Sequence, residues 1–430
     1  MARGEACGSG TERLEKQHLE LAEEVAALRA CLEAAQILRP EQLAAQLHRQ
    51  RFQKILRQAP CTFTGSLEEC MQAPGMSLQV ASLLGHREAI AISQCSKPLR
   101  SCLRSVSLEL AEIFPPQALL LGGVDGFDEG TSSVESLDVA SNTWTPLPRL
   151  RVPRWSSAAA CTQGRVFVMG GRGFEMMRDE ILDSVEVFDM ERGSWGQAPN
   201  LHFPRCELAA ASCRGVLVAA HGVTEGEVPL SEVEFLRLEQ PTQWLRAPPL
   251  QPARRALAAV GLNDAIYVLG GWDDRLGGAS GEVHYLKLRD HDIGTDGWRR
   301  APPLKEPRAG FGACALMGSL WACGGCRGPQ NLSSIERFTP GSSAWETITE
   351  LQVPRRACCA VASGSSLLIL GGVQSEGNYV SSVARFDARR MTWCEAGCLS
   401  TPRRYFSACA CRAAQRAGGD QFEELKCTIC

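Results

Sequence analysis

Val166-Phe167-Val168-Met169 runs into Gly170-Gly171, followed by Val185-Glu186-Val187-Phe188-Asp189, then Trp195, then Pro204-Arg205. The first run is short and apolar and the second alternates with a period of two, so both read as strands. The same marks recur along the chain. Glycine pairs close apolar runs at Gly122-Gly123, Gly170-Gly171, Gly270-Gly271, Gly324-Gly325 and Gly371-Gly372, with His221-Gly222 as a sixth copy. Each pair is followed by a tryptophan (Trp144, Trp195, Trp244, Trp298, Trp345, Trp393), and each tryptophan by an arginine (Arg154, Arg205, Arg254, Arg308, Arg355, Arg403). Tryptophan to arginine is 10 residues in all six copies, and arginine to the next pair is 16 in all five internal copies. Only the stretch from the second glycine to the tryptophan varies, from 20 to 27 residues. Two fixed counts per repeat mean rigid strand connections, with length variation left to loops, and a period of this size marks a repeat architecture.

Each repeat reads as four strands. Small residues, Ser157-Ala158-Ala159-Ala160-Cys161, suit an innermost strand crowded at an axis. A turn at Gln163-Gly164 leads to the apolar run, and Trp195 opens a last strand expected to end near Leu201–Pro204. The first repeat has a second strand (Ala118–Leu121) and Trp144 but no arginine-led first strand before it, whereas Arg403 leads Tyr405–Cys411 with no second strand after it. The C-terminal strand should therefore complete the first blade and remove the open edge of the ring.

The pattern of strand, Gly-Gly, Val-Glu-Phe-Asp stretch, Trp and Pro-Arg resembles the kelch family over about residues 115–412. The resemblance implies an all-β, six-bladed kelch β-propeller. Departures are His221 for a glycine, Ala253 for the proline before Arg254, and His284-Tyr285 in the fourth repeat, which predict distorted blades.

A short all-α region is expected before the propeller. Over residues 12–36, Leu14, Leu21, Leu28 and Ala35 share one heptad position and His18, Val25 and Leu32 the other, which predicts a coiled coil within 1–38. A single amphipathic helix packed on its own protein is the alternative. Residues 39–72 read as a basic amphipathic helix and linker. Residues 73–112 form a helical segment that resembles a degraded F-box, in which Leu83, Leu84, Ile90 and Ile92 would touch the linker subunit of a cullin-RING ubiquitin ligase or form the segment's own core. The F-box opening Leu-Pro is missing; only Ala73-Pro74 stands near it. Residues 413–430 read as a flexible tail.

The chain has 430 residues, 44% apolar and 22% charged, with net charge −3, so no nucleic-acid footprint is expected. No apolar run is long enough to span a bilayer and Met1–Gly10 lacks a signal-peptide core, which predicts a cytoplasmic or nuclear protein with its 20 cysteines reduced. Cys323-Gly324-Gly325-Cys326 and Cys427-Thr428-Ile429-Cys430 have the C-x-x-C spacing of zinc ligands. Strand geometry already accounts for the first, as it does for Cys161, Cys213, Cys314 and Cys409 on innermost strands. Cys427 also satisfies a prenylation pattern, but the acidic run before it is the wrong sign for a second membrane signal.

Some propellers of this type are enzymes with a copper–tyrosine site or a polar funnel. The four tyrosines and seven histidines here do not recur at repeat-equivalent positions, and no phosphate loop or nucleophile motif appears. No catalytic residue, metal or cofactor is expected. What remains is a rim, formed where the loops before each arginine and after each glycine pair share one face. Arg255, Arg356, Arg404, Tyr405, Trp155, Trp272, Arg172 and Arg327 lie there, in the residue types that anchor interfaces. The resemblance implies capture of acidic or phosphorylated segments by this face, as in kelch ligase receptors. The tryptophans and the pairs Gly170-Gly171, Gly270-Gly271, Gly324-Gly325 and Gly371-Gly372 are expected to be structural, as are the six repeat arginines. The leading expectation is a protein-interaction adaptor acting as a cullin-RING substrate receptor. A non-degradative oligomeric scaffold, cytoskeletal or signalling, is the alternative, and a propeller enzyme the third.

Overall fold

The computed structural model describes residues 116–411, apart from 126–128, 140, 176–177, 240, 290–291, 294–296, 375–376 and 395. The coiled-coil, basic-helix, F-box-like and tail expectations, with Leu83, Leu84, Ile90, Ile92 and Cys427, lie outside these residues.

Among the described residues six antiparallel sheets of four or five strands follow one another, with smaller two- and three-stranded sheets in the loops between strands. The second blade shows the common plan, pairing Ala158–Thr162, Arg165–Met169, Val185–Asp189 and Ser194–Ala198 in sequence order. Its second strand is apolar throughout because it is sandwiched between blades. Val166 and Val168 face the first blade, packing with Leu119 and Leu121, whereas Phe167 and Met169 face the third, packing with Leu217 and Ala219. The same division recurs at the other seams, so the core is spread around the ring. The outer strand stops at Ala198, earlier than the expected Leu201–Pro204, because Pro199 has no N–H to continue the ladder.

The ring closes as expected. Ser407–Cys411 pairs with Gln117–Leu121 over five residues, from Gln117 opposite Cys411 to Leu121 opposite Ser407. The C-terminal strand is thus the innermost strand of the first blade.

The departures distort little. His221 has φ 61°, the left-handed conformation that Gly170 (φ 59°) adopts at the matching place, and the third blade keeps its four-strand order. The fourth blade differs in having a longer third strand, Val283–Arg289, whose end pairs with the extra Asp292–Ile293.

Only two repeat tryptophans are fully buried, Trp244 (1% exposed) and Trp345 (2%). The others are half-buried. What they share more widely is a hydrogen bond. The indole Nε1 of Trp195, Trp244, Trp298 and Trp345 donates to the carbonyl of Pro148, Pro199, Pro248 and Pro302 of the preceding blade, and that of Trp393 to Thr349 Oγ1. Trp144, at the seam where the ring closes, has a buried Nε1 without such a partner.

Candidate functional site

Each repeat arginine is a buried cation at the entry to an innermost strand. Its Nη1 donates to the carbonyl of the first residue of its own blade's glycine pair at 2.7–3.4 Å: Gly170, His221, Gly270, Gly324, Gly371 and Gly122 in turn. Its own backbone carbonyl accepts the N–H of the second glycine in the preceding blade, as Arg205 does from Gly171. A side chain at Gly171 would collide with the Trp155 carbonyl, and its φ of 97° also demands glycine. The arginine therefore serves its own blade with its side chain and the preceding blade with its backbone.

In four blades a glutamate of the third strand completes the arrangement. Arg154 pairs with Glu186 at 2.6 Å and Arg403 with Glu135 at 2.7 Å, and Arg205 and Arg308 pair with Glu234 and Glu336. The second oxygen of Glu336 takes the Lys305 N–H, so one carboxylate ties the arginine to the incoming loop. Burial lowers the pKa of Arg154 and Arg205, and the facing glutamates oppose it. The fourth blade has His284 instead, 3.4 Å from Arg254, and burial pulls Arg254 down to about 10. The sixth has Ala384, and Arg355 relies on the Ser382 carbonyl and hydroxyl. Glu336→Gln keeps the shape but removes the charge, and should cost about 1.5–3 kcal/mol in urea unfolding. An unchanged midpoint would show that the ion pair adds nothing.

Two residues beyond these arginines the backbone turns left-handed in every blade: Ser156, Glu207, Ala256, Gly310, Ala357 and Tyr405 have φ between 49° and 56°. Their peptides form a chain of hydrogen bonds across five seams. Ser156 donates to Tyr405, Glu207 to Ser156, Ala256 to Glu207, Gly310 to Ala256 and Ala357 to Gly310, at 2.7–2.9 Å. This inner chain surrounds the mouth of a central cavity of about 450 Å³. The spacing of the marks did not announce it, because the six residues share a conformation and not a residue type.

The structure brings Arg255, Arg356, Tyr405 and Trp272 to this mouth. Arg404 lies beside it, its guanidinium 4.8 Å from the Tyr379 ring and 5.1 Å from the Tyr405 ring, within cation–π range. Trp155 is half-buried over Gly130, and Arg327 is exposed farther out. Arg172 is engaged with Glu227. Arg255, Arg356 and Arg404 are all half-buried, and Arg255 is held by Glu207, Glu227 and Asp274. Glu227 and Asp274 sit in the variable loops after the glycine pairs, and Glu207 occupies a repeat position whose residue type is not fixed, so no repeat spacing points to this cluster.

The kelch motif is matched at residues 118–151, 153–202 and 307–352. This is a kelch-repeat propeller. The chain is 29% identical over 212 residues to kelch-like protein 35 of Mus musculus, covering 49% of this chain and 34% of that protein. It is 28% identical over 313 residues to human kelch-like protein 34, covering 69% and 47%. A stretch of 168 residues is 30% identical to kelch domain-containing protein 8B of Rattus norvegicus, covering 37% and 46%. This kelch chain spans less than half the length of these relatives. The solved structure of YjhT superposes with a TM-score of 0.54 at 16% identity, covering 65% of this chain and 97% of that one, a likeness of fold alone.

Among the described residues no three His, Cys, Asp or Glu side chains are grouped to hold a metal ion. Cys323 is buried at the end of a strand and Cys326 sits at the rim, and burial raises both thiol pKa values, which disfavours the thiolate a metal needs. Cys314 is pushed up to about 12 for the same reason. Among the described residues no helix is long and apolar enough to cross a membrane.

Proposed function

We propose that this kelch propeller is a protein-interaction adaptor whose rim captures an acidic segment of another protein. The observation that carries this is the mouth of the central cavity, where Arg356 and Tyr405 line the opening and Arg404 stacks between Tyr379 and Tyr405. Arginine and aromatic side chains at a concave, partly buried place are the usual anchors of protein recognition. Binding, rather than a reaction, is what such groups support. The kelch-like relatives agree with a protein-binding role.

The adaptor would serve as substrate receptor of a cullin-RING ligase, with residues 73–112 meeting the linker subunit. This part rests on the sequence of that segment alone. Full-length protein purified from cells should bring down a cullin and its linker subunit, and Leu84→Asp with Ile90→Asp should remove both while partner proteins remain. Absence of any cullin from the wild-type preparation refutes the ligase role. Retention of every partner by an Arg356→Glu, Arg404→Glu variant that melts normally refutes the rim.

A further inference from the structure

Arg255 and Arg356 hold the same place in their blades, one residue after the repeat arginine, and both line the cavity mouth. Their surroundings differ in charge. The Arg255 guanidinium lies 3.6 Å from Glu207, 3.5 Å from Glu227 and 3.6 Å from Asp274, and Glu227 also engages Arg172. Over the second to fourth blades, two cations thus share three carboxylates. Burial raises the Glu207 pKa, and the nearby Glu227 adds to that while Arg255 opposes it, as expected where anions crowd. Arg356 donates instead to the neutral amide oxygen of Asn331 at 3.3 Å. Among the described residues no carboxylate forms an ion pair with Arg356 or with the exposed Arg327.

Below the mouth the wall is apolar and small. The second residue of every innermost strand is alanine: Ala159, Ala210, Ala259, Ala313, Ala360 and Ala408. The cavity of about 450 Å³ has room for a large side chain.

We propose that the rim is divided: a peptide segment of the partner lays its carboxylates over Arg327 and Arg356, sends an adjoining apolar side chain into the central cavity, and does not use Arg255. This rests on the rim-binding function proposed above. An incoming carboxylate would meet three anions at Arg255, where each hydrogen bond gained displaces an existing one and like charges repel. At Arg356 it displaces the amide contact to Asn331 and meets no ion-paired carboxylate. The bound segment is therefore an acidic stretch next to a bulky apolar residue, oriented with its acids toward the fifth and sixth blades.

The test selects peptides from a random phage-displayed library on the full-length protein and measures the strongest synthetic peptide by fluorescence anisotropy. Measurements at physiological salt limit distant charge effects, because the Debye length is then about 8 Å. Selected peptides should be rich in Asp and Glu beside Leu, Phe or Trp. Arg356→Ala should weaken binding about tenfold or more, whereas Arg255→Ala should change it less than about threefold. Glu227→Gln with Asp274→Asn releases Arg255 from two of its acids and should strengthen binding several-fold. Thermal unfolding of each variant separates lost binding from lost fold. Equal losses on Arg255→Ala and Arg356→Ala would overturn the division while leaving rim binding intact. Peptides without acidic bias, peptides indifferent to both substitutions, or no selection at all would overturn rim binding of acids as well.

Discussion

Removal of residues 403–430 should leave a chain that does not form a folded monomer, whereas removal of 413–430 should leave one that melts like the full chain. The longer deletion takes the innermost strand of the first blade, all five of its pairings with Gln117–Leu121, and the Arg403 carbonyl that holds Gly372. It takes Phe406 from the core shared with Leu120 and Leu370, and Cys409 and Cys411 from the core shared with Leu119, Val166 and Val168. Both seams of the first blade are therefore stripped together. Losing a buried phenylalanine costs roughly 3–5 kcal/mol. Leaving Glu135 without Arg403 costs a similar amount, about 3–5 kcal/mol for a broken buried pair. These two losses alone approach the roughly 5–15 kcal/mol that holds a domain folded. Size-exclusion chromatography and thermal unfolding of both truncations decide the matter. A monomeric 403–430 deletion with a cooperative transition at the full-length temperature would mean that this strand does not close the ring.

What the sequence made legible is what the backbone constrains in every blade. Gly170-Gly171 must be glycine, or a residue such as His221 that accepts φ 61°, because the pair turns left-handed against the next blade. The arginine must stand 16 residues before its pair because its guanidinium reaches the first carbonyl of that same turn. Blade number, strand order and closure followed from those distances. The rim was legible only by position. Arg255 and Arg356 are equivalent in the repeat, and nothing in the spacing distinguishes them. The difference lies in Glu207, at a repeat position that accepts many residue types, and in Glu227 and Asp274, which come from the variable loops of two blades. Loop geometry is where repeat constraints end, so the charge of the mouth had to come from the structure.

Acid should unfold this protein earlier than its carboxylates require. His221 is fully buried, and burial pulls its imidazole pKa from 6.5 to about 3, with the Arg254 and Arg205 guanidiniums pushing the same way. His284, beside Arg254, is lowered for the same two reasons, burial and that cation. Both rings are neutral in the folded protein near neutrality, and the Arg254 N–H donates to His221 Nδ1 at 3.3 Å, which fixes the tautomer. In the unfolded chain each histidine takes up a proton near pH 6.5. A folded pKa below the unfolded one means that stability is full above about pH 6.5 and declines as the pH falls toward 3. One fully buried histidine contributes about 1.4 kcal/mol per pH unit in that window, hence roughly 2 kcal/mol by pH 5 and 4–5 kcal/mol by pH 3. Between pH 6.5 and 5 the ordinary carboxylates, with pKa near 4, scarcely titrate, so the histidines dominate the slope there. His221→Gly tests the assignment. Glycine accepts the left-handed backbone, removes the buried base and restores the repeat. Its effect at pH 7.5 combines a vacated volume with relief at φ 61°, so the diagnostic quantity is the change with pH. Urea unfolding at half-unit steps from pH 7.5 to 5 should show the wild type losing stability more steeply than His221→Gly, the variant keeping only the His284 share. Parallel slopes for the two proteins would mean that His221 takes its proton in the folded state as readily as in the unfolded one, and that the buried ring is not what makes the third and fourth blades acid-sensitive.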